Sequence, residues 1–139
     1  MATWEFAAVG SGAAVGAWLR WVLGLRLNAI VPTLPIGTLA ANLLGGLLVG
    51  IALAWFDRHP HLAPAWRLFA ITGFLGGLTT FSTFSGEVTG LLLRREYLWG
   101  LCAAAAHLCG SLLLTALGIG IVAWVSGALR APLGAGSGG

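Results

Sequence analysis

Charged side chains are scarce in this sequence. The 139 residues include seven arginines, no lysine and four acidic residues, so charged residues make up only 8% of the chain, against about 25% in a typical soluble domain. Hydrophobic residues make up 58%, and the mean hydropathy is +0.94. A water-soluble globule needs far more polar surface than this, so the composition excludes a soluble protein. Four membrane spans would use about 80 residues, and the remainder is too short for an extramembrane enzyme.

Cysteine is also scarce, and the basic residues form no cluster. Cys102 and Cys109 lie seven residues apart in one apolar stretch. They are expected to be small packing residues, since two soft ligands on one helix do not complete a tetrahedral metal site. The arginines flank apolar runs rather than forming a patch, so the net charge of +3 predicts no nucleic-acid partner.

Long apolar runs are abundant, and four of them are long enough to cross a bilayer. A helix needs about 20 apolar residues to span a hydrocarbon core, and these runs are continuous rather than alternating as in a barrel strand. We predict an all-α, multi-pass protein of the cell membrane, with lipid around a single transmembrane domain over residues 1–130. The predicted spans are about 6–25, 36–56, 68–93 and 97–125, and the Gly-rich segment 131–139 is predicted to be a flexible tail.

Six of the seven arginines are divided evenly between the two sides of a four-span protein, and the seventh, Arg20, lies inside the end of the first span, where it could tip the count. Three flank the spans on each side, so the positive-inside rule finds no bias to act on. A chain without bias can insert both ways up, and the hypothesis is therefore dual topology with an antiparallel homodimer as the functional unit. The two sets are Arg58, Arg67 and Arg130 on one side and Arg26, Arg94 and Arg95 on the other.

Glycines recur four residues apart in several spans. Such pairs let helix backbones approach without a side chain between them, and they are interpreted as packing features rather than as a dimer code. The pairs are Gly12 and Gly16, Gly46 and Gly50, Gly73 and Gly77, and Gly86 and Gly90.

Polar residues are concentrated in the middle of the third span. Two glycines, Gly76 and Gly77, precede two threonines, Thr79 and Thr80, and together they make a weak helix segment. A helix break at this depth is tolerated where it is buried in protein or faces a cavity. We therefore predict that the third helix is broken near its middle, with freed carbonyls that would suit a hard cation such as sodium.

The same segment carries groups suited to an anion. Phe81 and Phe84 are three residues apart and share a helix face, and ring edges turned towards a pathway would attract an anion, whereas ring faces would attract a cation. Asn42 in the second span could add amide donors, and Ser82 and Thr83 could add hydroxyl donors. No Lys or Arg lies in this central stretch, so an anion would be held weakly enough to be conducted.

Three motifs resemble those of the Fluc (CrcB-type) fluoride channels. They are residues 12–21 in the first span, GTLAANLLG at 37–45 in the second, and GGLTTFSTFS at 76–85 followed by Glu87 in the third. The third-span motif is the most specific, and the resemblance extends over all four spans. It implies a passive, fluoride-selective channel in a bacterial inner membrane that exports fluoride through two pores of an antiparallel homodimer.

The resemblance also implies roles for individual residues. Backbone carbonyls of Gly76 and Thr79 from both subunits would hold a structural Na⁺ at the dimer centre, and Na⁺ is the one cofactor expected. The implied fluoride pathway comprises Asn42, Phe81, Ser82, Thr83, Phe84, Thr38, Glu87 and Ser111.

Some of these residues have plainer interpretations. Taken alone, Asn42 would be expected to form a hydrogen bond that holds two helices together, and Glu87 could simply extend towards the membrane surface. In the fourth span, many family members carry tyrosine and serine near Ala103 and His107, whereas Ser111 fits the pattern. His107 is interpreted as a packing histidine. Because Ala103 and His107 depart from the family pattern, the resemblance does not assign the residues that line the outer part of the pathway.

Two other functions fit a short four-helix membrane protein. A proton-coupled exporter of the small multidrug-resistance type relies on a glutamate embedded in the first span, but here that span has only Glu5 at its edge. An accessory subunit without transport of its own has no reason to bury many hydroxyls beside a glycine break. The fluoride channel is therefore the leading hypothesis.

Overall fold

The computed structural model describes residues 3–31 and 34–130, and its regular structure is helical. Four of its helices are long and apolar enough to cross a membrane, which confirms the predicted all-helical, four-span architecture. The predicted flexible tail, 131–139, lies outside the described residues.

The helices run somewhat past the predicted spans. The added residues at the ends of α1 and α2 are largely polar or aromatic, such as Trp4, Arg26 and Arg58, and suit the headgroup layers on either side of the hydrocarbon core. The bounds are α1 Thr3–Leu27, α2 Ile36–Arg58, α3 64–78, α4 Phe81–Leu93 and α5 Tyr97–Arg130.

The connection between α4 and α5 is short because α4 ends in a Schellman turn. Arg95 has a φ of 63°, and its N–H donates to the Leu92 carbonyl over 3.0 Å. The N–H of Glu96 reaches back to the Leu91 carbonyl over 2.9 Å, which completes the motif. The chain then begins α5 at once and packs it against α4.

Glycines allow α2 to pack against α5 at backbone contact. A Cβ at Gly46 would lie 2.9 Å from the Ser111 carbonyl oxygen, and a Cβ at Gly50 would overlap the Thr115 carbonyl oxygen. The Thr115 hydroxyl also donates to the Gly46 carbonyl over 2.9 Å. This close contact fixes how α2 and α5 are aligned along their axes, and so which polar residues of the two helices face each other.

A second glycine seam joins α1 to α3. Gly12 faces the carbonyl of Phe69, Gly16 faces that of Phe74, and Gly73 packs back against α1. Three of the four predicted glycine pairs are thus confirmed as packing features. The fourth pair differs, because a Cβ at Gly86 would meet no atom of the described chain within 4 Å.

The buried core is small. Leu78 and Leu91 are its fully buried large side chains among the described residues, and Leu78 clusters with Ala41 and Leu75. Many large apolar side chains, Trp18 and Trp124 among them, face outwards, where lipid tails solvate them. Leu78 immediately precedes Thr79 and Thr80, so the core anchors this part of the third span from one side.

Candidate functional site

The third span is interrupted at Thr79 and Thr80. Thr79 has φ −83° and ψ 153°, and Thr80 has φ −151° and ψ 114°, so both backbones are extended. The residues before them, Leu68–Leu75, form π-helical turns, a wider geometry often found near functional sites. The span therefore consists of two helical segments, α3 and α4, joined by two extended residues.

The side chain of Asn42 in α2 holds this extended pair. Thr80 N–H donates to Asn42 Oδ1 over 2.7 Å, and Asn42 Nδ2 donates to the Thr80 carbonyl over 3.1 Å. These two bonds fix the orientation of the amide, because a backbone N–H only donates and a carbonyl only accepts. Nδ2 also lies 3.0 Å from Nδ1 of His107 in α5. Asn42 thus links α2, the interruption and α5.

Around the interruption, two backbone N–H groups donate to side chains instead of to the carbonyls that they would meet in a helix. In a continuous α-helix, Thr80 N–H would donate to the Gly76 carbonyl, and Thr83 N–H would donate to the Thr79 carbonyl. Here Thr80 N–H donates to Asn42, and Thr83 N–H donates to Thr80 Oγ1 over 3.2 Å, which caps α4. The Gly76 and Thr79 carbonyls are thereby released from α-helical bonding and can serve as oxygen ligands.

Arg20 of α1 reaches the same region. Its Nε donates to the Gly77 carbonyl over 3.1 Å, and the side chain is partly buried. The sequence places no basic residue in the middle of the third span, but the first helix supplies one from the side. In the sequence, Arg20 lies within an apolar run and within the first-span motif at 12–21, but neither feature indicates the carbonyl that it meets.

A cavity of about 460 Å³, named here the central cavity, lies beside the interruption. The rings of Phe81 and Phe84 are 5.5 Å apart between centroids at an angle of 63°. Phe81 is 79% exposed, so a single chain leaves the cavity open on that side. Six residues predicted for the site line it: Asn42, Gly76, Thr79, Phe81, Phe84 and Ser111.

Thr38 and Glu87 are joined to each other beyond the central cavity. The Thr38 hydroxyl donates to Glu87 Oε1 over 2.6 Å. Glu87 lines a mouth cavity of about 300 Å³ together with Arg94, and a linking cavity of about 40 Å³ together with Phe84 and His107. Because Phe84 and His107 also line the central cavity, the three cavities form a series along α4.

Ser82 and Thr83 lie apart from this series, whose lining does not include them. Both residues are exposed. Thr80 Oγ1 donates to Thr83 Oγ1 over 3.0 Å and lies 3.3 Å from Ser82 Oγ. In a single chain, these hydroxyls therefore extend the cap of α4 onto the outer surface.

His107, interpreted from the sequence as a packing histidine, lines the central cavity. It is 7% exposed, and its ring lies 4.6 Å from that of Phe84 at an angle of 34°. The available signal is the spacing of His107, Ser111 and Thr115, which places three polar residues on one face of α5. Their partners on α2 and α4 are not visible in that spacing.

The sequence is similar to a known family over most of its length. Residues 7–119 match the family described as CrcB-like protein, Camphor Resistance (CrcB). This range contains the interruption, its Asn42 clamp and the residues that line the central cavity.

Three similar proteins each bear the name fluoride-specific ion channel FluC. The protein of Cupriavidus metallidurans is 63% identical over 114 residues, which cover 82% of this chain and 90% of that protein. The protein of Nitrosospira multiformis is 56% identical over 126 residues, covering 91% and 98%. The protein of Pseudomonas putida is 56% identical over 120 residues, covering 86% and 94%.

Proposed function

Because this chain belongs to the family of CrcB-like proteins, we propose that it is a fluoride-specific ion channel of the cell membrane whose pathway follows the central cavity. Relatives 56% and 63% identical to it are named for this activity, and its four apolar helices make it a multi-pass membrane protein. The observation that carries the assignment is the juxtaposition of two phenylalanine rings with the Asn42-clamped interruption along one cavity.

The lining of the central cavity suits a small anion in transit. Its described lining residues include no Asp, Glu, Lys or Arg. The Phe81 and Phe84 rings lie at 63° to each other, and an aromatic ring carries partial positive charge on its edge. An anion held by such dipoles and by neutral hydrogen-bond donors is not trapped by a fixed opposite charge, which favours conduction.

An antiparallel homodimer completes this pathway. One chain leaves Phe81, Ser82 and Thr83 exposed at the middle of a membrane span, where polar groups facing hydrocarbon are costly. A second copy packed against this face would cover the hydroxyls and close the central cavity. The even division of the six arginines that flank the spans gives neither orientation an advantage, which favours pairing between oppositely oriented copies.

The topology is tested with reporter domains fused to the carboxyl end, one reporter active in the cytoplasm and the other active outside it. We expect both fusions to give signal in the same cells. Cysteine crosslinking across the Phe81 face should then join the two orientations. Signal from one reporter alone would overturn the dual topology.

A sodium ion at the centre of this dimer fits the chemistry of the released carbonyls. Gly76 and Thr79 would each contribute a backbone oxygen from both copies, and hard cations prefer oxygen ligands. Among the described residues, no three His, Cys, Asp or Glu side chains come together as an alternative metal site. When bound, the ion would supply a positive charge that attracts the backbone oxygens of both copies and so would hold the two interrupted helices together.

Fluoride efflux from liposomes tests the channel assignment. We expect vesicles with the purified protein to release fluoride rapidly, to retain chloride and to need no proton gradient. Phe81→Ile should abolish most of the flux, whereas Phe6→Ile, at an exposed phenylalanine of α1, should leave it intact. Fluoride release no faster than that of empty vesicles would overturn the proposal.

A further inference from the structure

The connection between α2 and α3 holds two histidines close together. His59 directly follows α2, and His61 comes two residues later, with Pro60 between them. The N–H of Leu62 donates to the His59 carbonyl over 3.2 Å, which closes a turn with proline at its second position, where the fixed φ of proline favours a turn. The two imidazole rings lie 5.8 Å apart between centroids at an angle of 66°. The turn therefore presents two imidazoles side by side at the end of α2.

The last turn of α2 fixes the tautomer and the orientation of His59. Nδ1 of His59 lies 2.8 Å from the Trp55 carbonyl oxygen, and because a carbonyl only accepts, Nδ1 carries the proton and the neutral ring has its lone pair on Nε2. The Trp55 indole also stacks on the imidazole, with centroids 4.5 Å apart at 29°. Histidines that bind metals usually donate their other ring N–H to a carbonyl or carboxylate, which orients the ring in the same way. His59 thus has the support that a metal ligand needs.

The remaining ring nitrogens of the pair are available to a ligand. Within the part of the chain that the structure describes, neither Nε2 of His59 nor the ring of His61 makes a hydrogen bond, and neither is sealed from solvent. Zinc binds histidine nitrogen at about 2.0–2.1 Å, so two imidazoles on one tetrahedral zinc ion have centroids about 5.2 Å apart. The observed 5.8 Å exceeds this by about 0.6 Å, a distance that rotation of the exposed His61 side chain can supply.

The chemistry of the pair selects one class of ion. Imidazole nitrogens suit zinc, copper and nickel, whereas sodium, magnesium and calcium prefer oxygen ligands. Among the described residues, no third His, Cys, Asp or Glu side chain joins the pair, so water would complete the coordination and the ion would exchange readily. Residues 55–61 line none of the three cavities described above. The pair is therefore separate from the pathway proposed for fluoride.

We propose that His59 and His61 bind a divalent transition-metal ion such as zinc, through Nε2 of His59 and a ring nitrogen of His61. This inference goes beyond the proposed channel function and does not depend on it. The ion would link the end of α2 to the turn that leads into α3, and so would stabilise that connection. In the proposed antiparallel homodimer, the two copies would present this site on opposite surfaces of the membrane.

Calorimetric titration of the full chain with zinc chloride tests the site, at a pH above the ordinary histidine pKa of about 6.5. We expect one zinc ion per chain, and we expect the affinity to fall about tenfold or more in either His59→Gln or His61→Gln. Asp57→Asn is the matched control, because it removes a neighbouring exposed carboxylate and keeps both imidazoles, so its affinity should equal that of the original protein. Unchanged affinity in both histidine variants, or an equal loss in the control, would overturn the inference.

Nitrogen NMR of the original protein identifies the ligand atoms without relying on a variant's affinity. The protein has three histidines, so the signals of His59 and His61 in ¹⁵N-histidine-labelled protein are assigned by their loss in the two variants. We expect the Nδ1–H tautomer of His59 before zinc is added, and we expect its Nε2 signal and one His61 signal to move with zinc while His107, buried at 7% exposure, does not respond. An Nε2–H tautomer of His59, or a zinc response confined to His107, would contradict the proposed site.

Discussion

The hydroxyl of Thr38 donates to Glu87 Oε1 over 2.6 Å and joins the beginning of α2 to the middle of α4. Thr38 is buried at 6% exposure, and its partner is the carboxylic side chain that lines both the mouth and the linking cavities. This bond therefore fixes the position of the ionisable group that an ion entering from the mouth cavity meets.

Replacing Thr38 with valine should loosen this end of the pathway. Thr38→Val keeps the branched shape and removes the donor, so we expect the free energy of unfolding to fall by about 1–2 kcal/mol and fluoride flux to fall with it. Thr89→Val, at an exposed threonine of α4, is the matched control and should change neither quantity. Unfolding in mixed detergent micelles and liposome efflux measure the two effects, and equal effects of both substitutions would contradict the prediction.

The glycine seam between α2 and α5 should tolerate no added methyl group. Gly50→Ala would place a Cβ against the Thr115 carbonyl oxygen and 3.1 Å from the Thr115 Cα. Because backbone atoms cannot move aside, we expect a loss of about 2 kcal/mol or more. The same substitution at Gly120, where a Cβ would meet no described atom within 4 Å, should be neutral. Thermal unfolding of the two variants in one detergent makes the comparison.

Arg20 should matter for the interrupted helix rather than for charge alone. Arg20→Gln removes the Nε donor from the Gly77 carbonyl, and a partly buried carbonyl left without its partner costs about 1–3 kcal/mol. We expect both lower stability and reduced flux. Arg26→Gln removes the same charge from an exposed residue of α1 and should reduce neither by a comparable amount. Similar losses in the two variants would show that charge is what matters.

Sodium should stabilise the assembled protein. If Gly76 and Thr79 carbonyls bind the ion in the folded dimer only, mass action predicts a melting temperature that rises with sodium concentration. N-methylglucamine chloride at equal ionic strength is the control and should give no such rise, and lithium or potassium should stabilise less than sodium. A melting temperature that follows ionic strength alone would contradict the sodium site.

Much of the fold follows from the sequence because a membrane span leaves a local signal. Each span is a long and mainly apolar stretch, and the polar residues of the third span fall in one contiguous segment, 76–85. Hydropathy therefore predicts the spans, and the motif predicts the polar segment. The pairing of residues across helices is a different matter. Asn42 meets Thr80 and His107 from 38 and 65 residues away, and these meetings depend on how closely α2 approaches α5 along Gly46 and Gly50.

The interpretation of His107 shows where local patterns stop being informative. Helical spacing places His107 on the same face as Ser111, yet the sequence alone favours a packing role for this histidine. Its chemistry depends on which nitrogen faces Asn42, which follows only from the orientation of the Asn42 amide. That orientation is in turn set by the extended backbone of Thr80. No sequence pattern indicates these contacts between helices.

The outward-facing ring of Phe81 bears on what happens while the protein is being made. If two copies complete the pathway as proposed, a freshly inserted copy has a groove rather than a tube and offers no continuous passage to ions. Permeability should therefore appear only when two copies meet, and it should rise with the square of their number while most copies are still single.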